Sequence, residues 1–139
     1  MEAAQRFLQA KERLLVGSDQ WAQAMAWAFN MLVEACAEVA KPEWWNDKGL
    51  KALSARVVRA APDDGVAHQM RSSVLSGRSG ASWELGTRSA AELKEAAMHF
   101  DRAAALCPAP AVKVELAGNA AWYRSQAEAI PIGRVARMR

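Results

Sequence analysis

The chain has 139 residues, 52% of them hydrophobic, and a net charge of +3 from 18 Lys and Arg against 15 Asp and Glu. That length suits one domain with one core. The mild charge excess, spread along the chain, gives no electrostatic footprint for nucleic acid. The 8 glycines and 5 prolines fall between apolar-periodic stretches, which predicts an all-helical chain.

Six helices are expected. The first spans about Glu2 to Val16, with Phe7, Leu8, Leu14 and Leu15 at helical intervals, and ends at Gly17. Its acidic Glu2 stands where an export signal carries positive charge, so an amphipathic helix is expected there. The second starts after Ser18 or Asp19, either a competent N-cap, and runs to about Ala40 before Lys41-Pro42. It is the sole membrane candidate, but Gln23, Asn30, Glu34 and Glu38 interrupt it. A central acidic residue costs about 2.5 to 3.5 kcal/mol on insertion, against a few tenths gained per Leu or Phe, so no span is expected. Cys36 in this helix and the distant Cys107 read as small buried hydrophobes of a reducing compartment, which makes the expected location cytoplasmic.

After the link "PEWWNDKG" the third helix covers about Asp47 to Ala60, with Leu50, Leu53, Val57 and Val58 on one face. "APDDG" stops it, and Asp63-Asp64 read as caps for a fourth helix from about Asp64 to Ser76. Residues 77 to 88 are expected to be a loop. Ser89-Ala-Ala-Glu92 is a capping-box pattern, the best-marked boundary in the chain. The fifth helix then shows Leu93, Ala96, Ala97, Phe100, Ala103, Ala104 and Cys107 on its apolar face, and "CPAP" ends it. Pro110 suits the first turn of a sixth helix reaching about Glu128. Residues 1 to 129 thus form one domain, and 130 to 139 a basic, frayed tail carrying Arg134, Arg137 and Arg139. Three arginines add about 1 kcal/mol each near an anionic membrane, too little to hold the chain there.

Catalytic and metal patterns are weak. His68 and His99 have no His or Cys at ligand spacing, and His99, four residues after Glu95, reads as an exposed helical pair. Cys107 with a distant histidine and Asn119 makes a triad only on paper, since the thiol precedes a proline at a packed helix end. "SGRSG" and "GSDQ" lack the lysine of a phosphate loop. No metal, cofactor or enzymatic activity is expected.

Ala96, Phe100, Ala103 and Pro108 reproduce the small-aromatic-small-proline spacing of the second helix of a tetratricopeptide repeat. Val114, Ala117, Gly118 and Ala121 then fall where that repeat has its aromatic, leucine, glycine and tyrosine. Gly118 carries most weight, because a mid-helix glycine costs about 1 kcal/mol relative to alanine and close helix contact would explain it. Upstream, Leu50, Ser54, Val57 and Pro62 keep the spacing but not the residue types, and the loop after Ser76 is about twelve residues longer than the family turn. The chain resembles a short, degenerate TPR-like array of stacked antiparallel hairpins, over residues 50 to 127.

That resemblance implies a groove that receives a peptide or helix from another protein, lined by Val66, Gln69 and Ser73 of the fourth helix and Val112, Glu115, Asn119 and Trp122 of the sixth. The basic clamp some members use for a terminal carboxylate is missing, since Glu115 and Gln69 occupy candidate positions. Of the six tryptophans, Trp21 and Trp27 are expected in the core, and one of Trp44 and Trp45 over helix ends. Trp83 either pins the long loop or anchors a partner. Barely three repeat units are present, so self-association as a structural subunit is the alternative.

Overall fold

A computed structural model describes residue 9 and residues 14–34, 40–78, 83–131 and 135–137. Its elements, in chain order, are α1 (Asp19–Val33), α2 (Asp47–Ala60), α3 (Gly65–Ser76), β1 (Thr87–Ser89), α4 (Ala90–Leu106), α5 (Pro110–Glu128) and β2 (Val135–Arg137). The chain is all-α, with five helices among the described residues where six were expected. Most of the predicted first helix, and residues 35–39 with Cys36, lie outside those residues; the helix expected to reach about Ala40 ends at Val33, and Ala40 is not helical. Leu14 to Val16 are not helical, and Gly17 takes a positive φ of 88°.

Four of the five described helices start at a side chain that satisfies an orphan amide. Ser18 accepts from Trp21 N–H, Asn46 from Gly49 N–H and Asp64 from Ala67 N–H. At α4 the capping box closes: Ser89 Oγ accepts from Glu92 N–H at 3.0 Å, and Glu92 Oε1 accepts from Ser89 N–H at 2.9 Å. α5 has no side-chain cap; Pro110 opens it at the first helical position, where its missing N–H removes one of the orphan donors. Gly49 is needed for a different reason: a Cβ there would strike the Trp44 carbonyl, because the "WWN" turn folds back on the first turn of α2.

Short connections turn consecutive helices back on each other, and α4 packs on both α3 and α5. Two apolar clusters result. The larger unites α1, α2 and α3 through Trp21, Met25, Phe29, Leu50, Val57, Met70 and Val74, closed at one end by Trp45 and Trp83. Phe29, Trp45 and Trp83 form a ring cluster with centroids 5.5 to 6.1 Å apart. The smaller joins α4 to α5 through Leu93, Ala97, Phe100, Ala103, Leu116, Ala120 and Tyr123, with Phe100 stacked on Tyr123 at 5.6 Å. The alanines let the two helices approach, and the stacked rings fill the gap.

Two expectations fail in the connection and at the end of the chain. Residues 87 and 88, read as loop, and the helix cap Ser89 pair antiparallel with residues 135–137, read as frayed tail, with Arg88 opposite Ala136. The short ladder is fixed by what lies beneath it. Arg88 is fully buried; its Nη2 donates to Asp47 Oδ1 at 2.6 Å and its Nη1 to Oδ2 at 2.9 Å. It also donates to the Val74 and Leu75 carbonyls at the C-terminal end of α3. Asp47 takes Trp83 Nε1–H and Gly86 N–H as well, so one carboxylate ties α2 to the whole 83–88 connection. Burial opposes the Asp47 charge, but hydrogen bonds from Arg88 and Trp83 and the charges of Arg88 and Lys51 win, lowering its pKa to about 2.

Candidate functional site

Three helices surround the most chemically distinctive groove. It encloses about 500 Å³ between Ala55, Val58 and Arg59 of α2, Pro62 of the following turn, His68 and Arg71 of α3, and Glu95, Met98, His99 and Arg102 of α4. Its walls are largely apolar and its floor is a stacked pair of imidazoles with ring centroids 5.0 Å apart. Both rings are buried. His68 Nδ1 and His99 Nδ1 lie 2.8 Å apart, His68 Nε2 lies 2.7 Å from the Pro62 carbonyl oxygen, and His99 Nε2 lies 3.2 Å from Glu95 Oε2.

The reading of His99 as an exposed helical pair is therefore corrected. Its link to Glu95 exists, but the ring points inward, because position 99 is three residues after Ala96 and four before Ala103, at the border of the buried face. Burial is the main influence that lowers the His99 pKa, joined by the neighbouring His68 and Arg71 and opposed by Glu95. Arg71 holds Glu95 from the other side, Nε to Oε2 at 3.0 Å, and donates through Nη1 to the Lys51 carbonyl and Ser54 Oγ. At the rim Arg102 pairs with Asp63 at 3.0 Å, and Arg59 is exposed. Among the described residues no group of three or more His, Cys, Asp and Glu could hold a metal ion.

The residues expected to line one groove are distributed over three places. Gln69 and Ser73 line a second cleft, of about 350 Å³, together with Trp27, Asn30 and Glu34 around α1. Val66 packs against the larger core cluster and is not a groove residue. Trp83 is buried among rings with its indole N–H on Asp47, so it pins the connection and is no partner anchor. Val112, Glu115, Asn119 and Trp122 line neither cleft. They lie along α5, where Val112 is 39% and Trp122 54% exposed, Asn119 is half-buried and Glu115 reaches Arg78 at 3.8 Å. The remaining tryptophan expectations divide likewise: Trp21 and Trp45 are buried, while Trp27 is 43% exposed. Cys107 is a free, half-buried thiol against the smaller cluster.

Gly118 also departs from expectation. It is exposed, and a Cβ built on it meets nothing within 4 Å, so no close helix contact among the described residues accounts for it. The buried face of α5 is Leu116, Ala120, Tyr123 and Ala127; Gly118 is on the opposite side. There Val114, Ala117, Gly118, Ala121 and Trp122 form an exposed stripe at helical spacing, with Val114 72% exposed.

The fold and these surfaces define an all-helical protein built from hairpins that stack in chain order. No family model, no curated protein and no solved structure matches the chain. No helix described is long and apolar enough to cross a membrane.

Proposed function

We propose that the protein is a non-enzymatic interaction module of TPR-like design that docks an amphipathic helix of another protein along the outer face of α5. One observation carries this reading. The stripe from Val114 to Trp122 presents large apolar side chains at both ends and small residues between, on a helix whose other face is already packed. Small residues between bulky ones form a shallow trough into which the ridge of a second helix fits, and an exposed tryptophan beside it supplies the anchoring area typical of binding hot spots. Gly118 then costs stability in the isolated chain and returns it when a partner backbone comes close. The mixed charges that border the stripe, Lys113, Glu115, Arg124 and Glu128, suit a partner helix with alternating acidic and basic flanks.

The repeat resemblance draws support from the burial of Ala96, Phe100 and Ala103 in the seams of α4. Its glycine position instead faces outward, so the docking face stands where a further helix of an array would stack. A cytoplasmic setting accords with the free thiol of Cys107. Self-association is the alternative occupant of the same face: a second α5, antiparallel, brings Trp122 over Ala117 and Glu115 beside Arg124. Affinity capture from native lysate with wild type and with a folded Trp122→Ala, Val114→Ser variant tests the reading. Partners lost only by the variant support it, whereas equal recovery overturns it. Light scattering over a concentration series separates a monomeric adaptor from a dimer.

A further inference from the structure

The His68–His99 contact sets a limit on protons that the geometry makes explicit. A carbonyl oxygen only accepts, so the Pro62 contact fixes a proton on His68 Nε2. With that ring neutral, its Nδ1 carries a lone pair and accepts from His99 Nδ1–H. His99, if neutral, is then left with a bare Nε2 facing the Glu95 carboxylate, and this is the longest of the three contacts at 3.2 Å. One added proton has a seat there, between His99 Nε2 and Glu95 Oε2, in the part of the network nearest solvent, since the Glu95 side chain is 41% exposed. A second added proton has none. It would go to His68 Nδ1 and set N–H against N–H across 2.8 Å, with both rings cationic.

We propose that the His68–His99 pair is an acid-sensitive latch on the α3–α4 seam, closed while the rings share at most one added proton and opened by the next. The charges facing it come from every neighbouring element. α2 offers Arg59, and the Lys51 carbonyl and Ser54 hydroxyl hold Arg71 in place. The α2–α3 turn offers Asp63, which is engaged by Arg102. α3 contributes Arg71 and α4 contributes Glu95 and Arg102. Three guanidinium groups against two carboxylates leave the surroundings positive, so a second imidazolium meets repulsion as well as a broken hydrogen bond. When the rings separate, Pro62 and the start of α3 lose their tie to the middle of α4, and the groove between Val58 and Met98 widens.

The linkage has a definite sign. Burial outweighs the seat that Glu95 offers and lowers the His99 pKa in the folded chain, so the unfolded chain takes up its proton first as pH falls, and this first uptake costs stability while the latch is still closed. The stabilisation by neutral His99 is complete above the ordinary histidine value of about 6.5 and is lost as pH drops from there through the folded value. This latch lies apart from the α5 face and does not depend on the function proposed for it.

Hydrogen exchange on the full chain, compared between about pH 7.5 and about pH 5 after correction for intrinsic rates, tests it above the ordinary carboxylate range. Acid is expected to raise opening of the α3 and α4 amides around His68 and His99 about tenfold relative to those of α1. His99→Gln, which keeps a hydrogen-bonding side chain but cannot take up the proton, is expected to remove that difference. An unchanged ratio in the wild type, or the same acid response in a folded His99→Gln, overturns the proposal. Imidazole nitrogen NMR of the wild type gives a reading that needs no variant. Protonated His68 Nε2 and His99 Nδ1 at about pH 7.5, with uptake first at His99 Nε2, support the latch; two rings titrating independently at the ordinary value of about 6.5 overturn it.

Discussion

The two apolar clusters are built by opposite means. Around α1, α2 and α3 the core is made of large side chains, four of them Trp21, Phe29, Trp45 and Trp83, and its end is fastened by Arg88 and Asp47. Between α4 and α5 alanine dominates, one stacked Phe100–Tyr123 pair fills the space, and the far side of α5 stays open. The first region buries most of its large apolar side chains, with Trp27 left 43% exposed beside the second cleft. The second packs α4 and α5 together with small residues and leaves Val114, Ala117, Gly118, Ala121 and Trp122 of α5 exposed among the described residues. Alanine-rich seams thus allow a thin layer, and a thin layer keeps both a buried and an exposed apolar side.

Breaking the first region at its fastening should have the largest effect. Arg88→Ala removes the buried cation of the pair, and with it two hydrogen bonds to Asp47 and one to each of two helix-end carbonyls, so a loss of about 3 to 5 kcal/mol is expected by denaturant unfolding. If the loss is under about 1 kcal/mol, the fastening is not what holds the 83–88 connection.

Acid should act on the same node at much lower pH than on the histidines. The Asp47 pKa is depressed, so its contribution is present above the ordinary carboxylate value of 3.8 and is lost as pH falls towards about 2. The thermal midpoint of Asp47→Asn should therefore change less across that window than that of the wild type.

The second region is probed more gently. Ser89→Ala opens the capping box of α4 and should cost about 1 kcal/mol. The smallest effect sharpens the comparison most, because its sign is informative. Gly118→Ala, at an exposed position with open space for the new methyl, should stabilise the isolated chain by about 0.5 to 1 kcal/mol. Destabilisation would mean that a neighbour already fills that space.

Much of the local structure was legible. The boundaries at Asp47, Ala60 and Ser76 and the box at Ser89 and Glu92 all appear where caps, breakers and period place them. These signals act within four residues, and so a reading along the chain can find them. The sites were less legible. His68 and His99 are 31 residues apart, and Asp47 and Arg88 are 41 apart. The one sequence signal for the histidine pair was the position of His99 at the edge of an apolar face; for Arg88 there was none, since a charged residue in a glycine-rich connection reads as solvated. The groove expected from Gln69, Ser73, Asn119 and Trp122 failed because resemblance fixed which face of each helix mattered without fixing which neighbours those faces meet.

The sequence by itself determined that the chain is helical, where most described helices begin and end, and which face of α4 turns inward, because capping and amphipathic period are properties of short segments. Only the tertiary structure decided that two imidazoles share a hydrogen bond, that a guanidinium could be buried at no loss of partners, and that Gly118 faces outward. Those outcomes depend on helix rotation and on distances between residues far apart in the chain, which packing of the whole core sets.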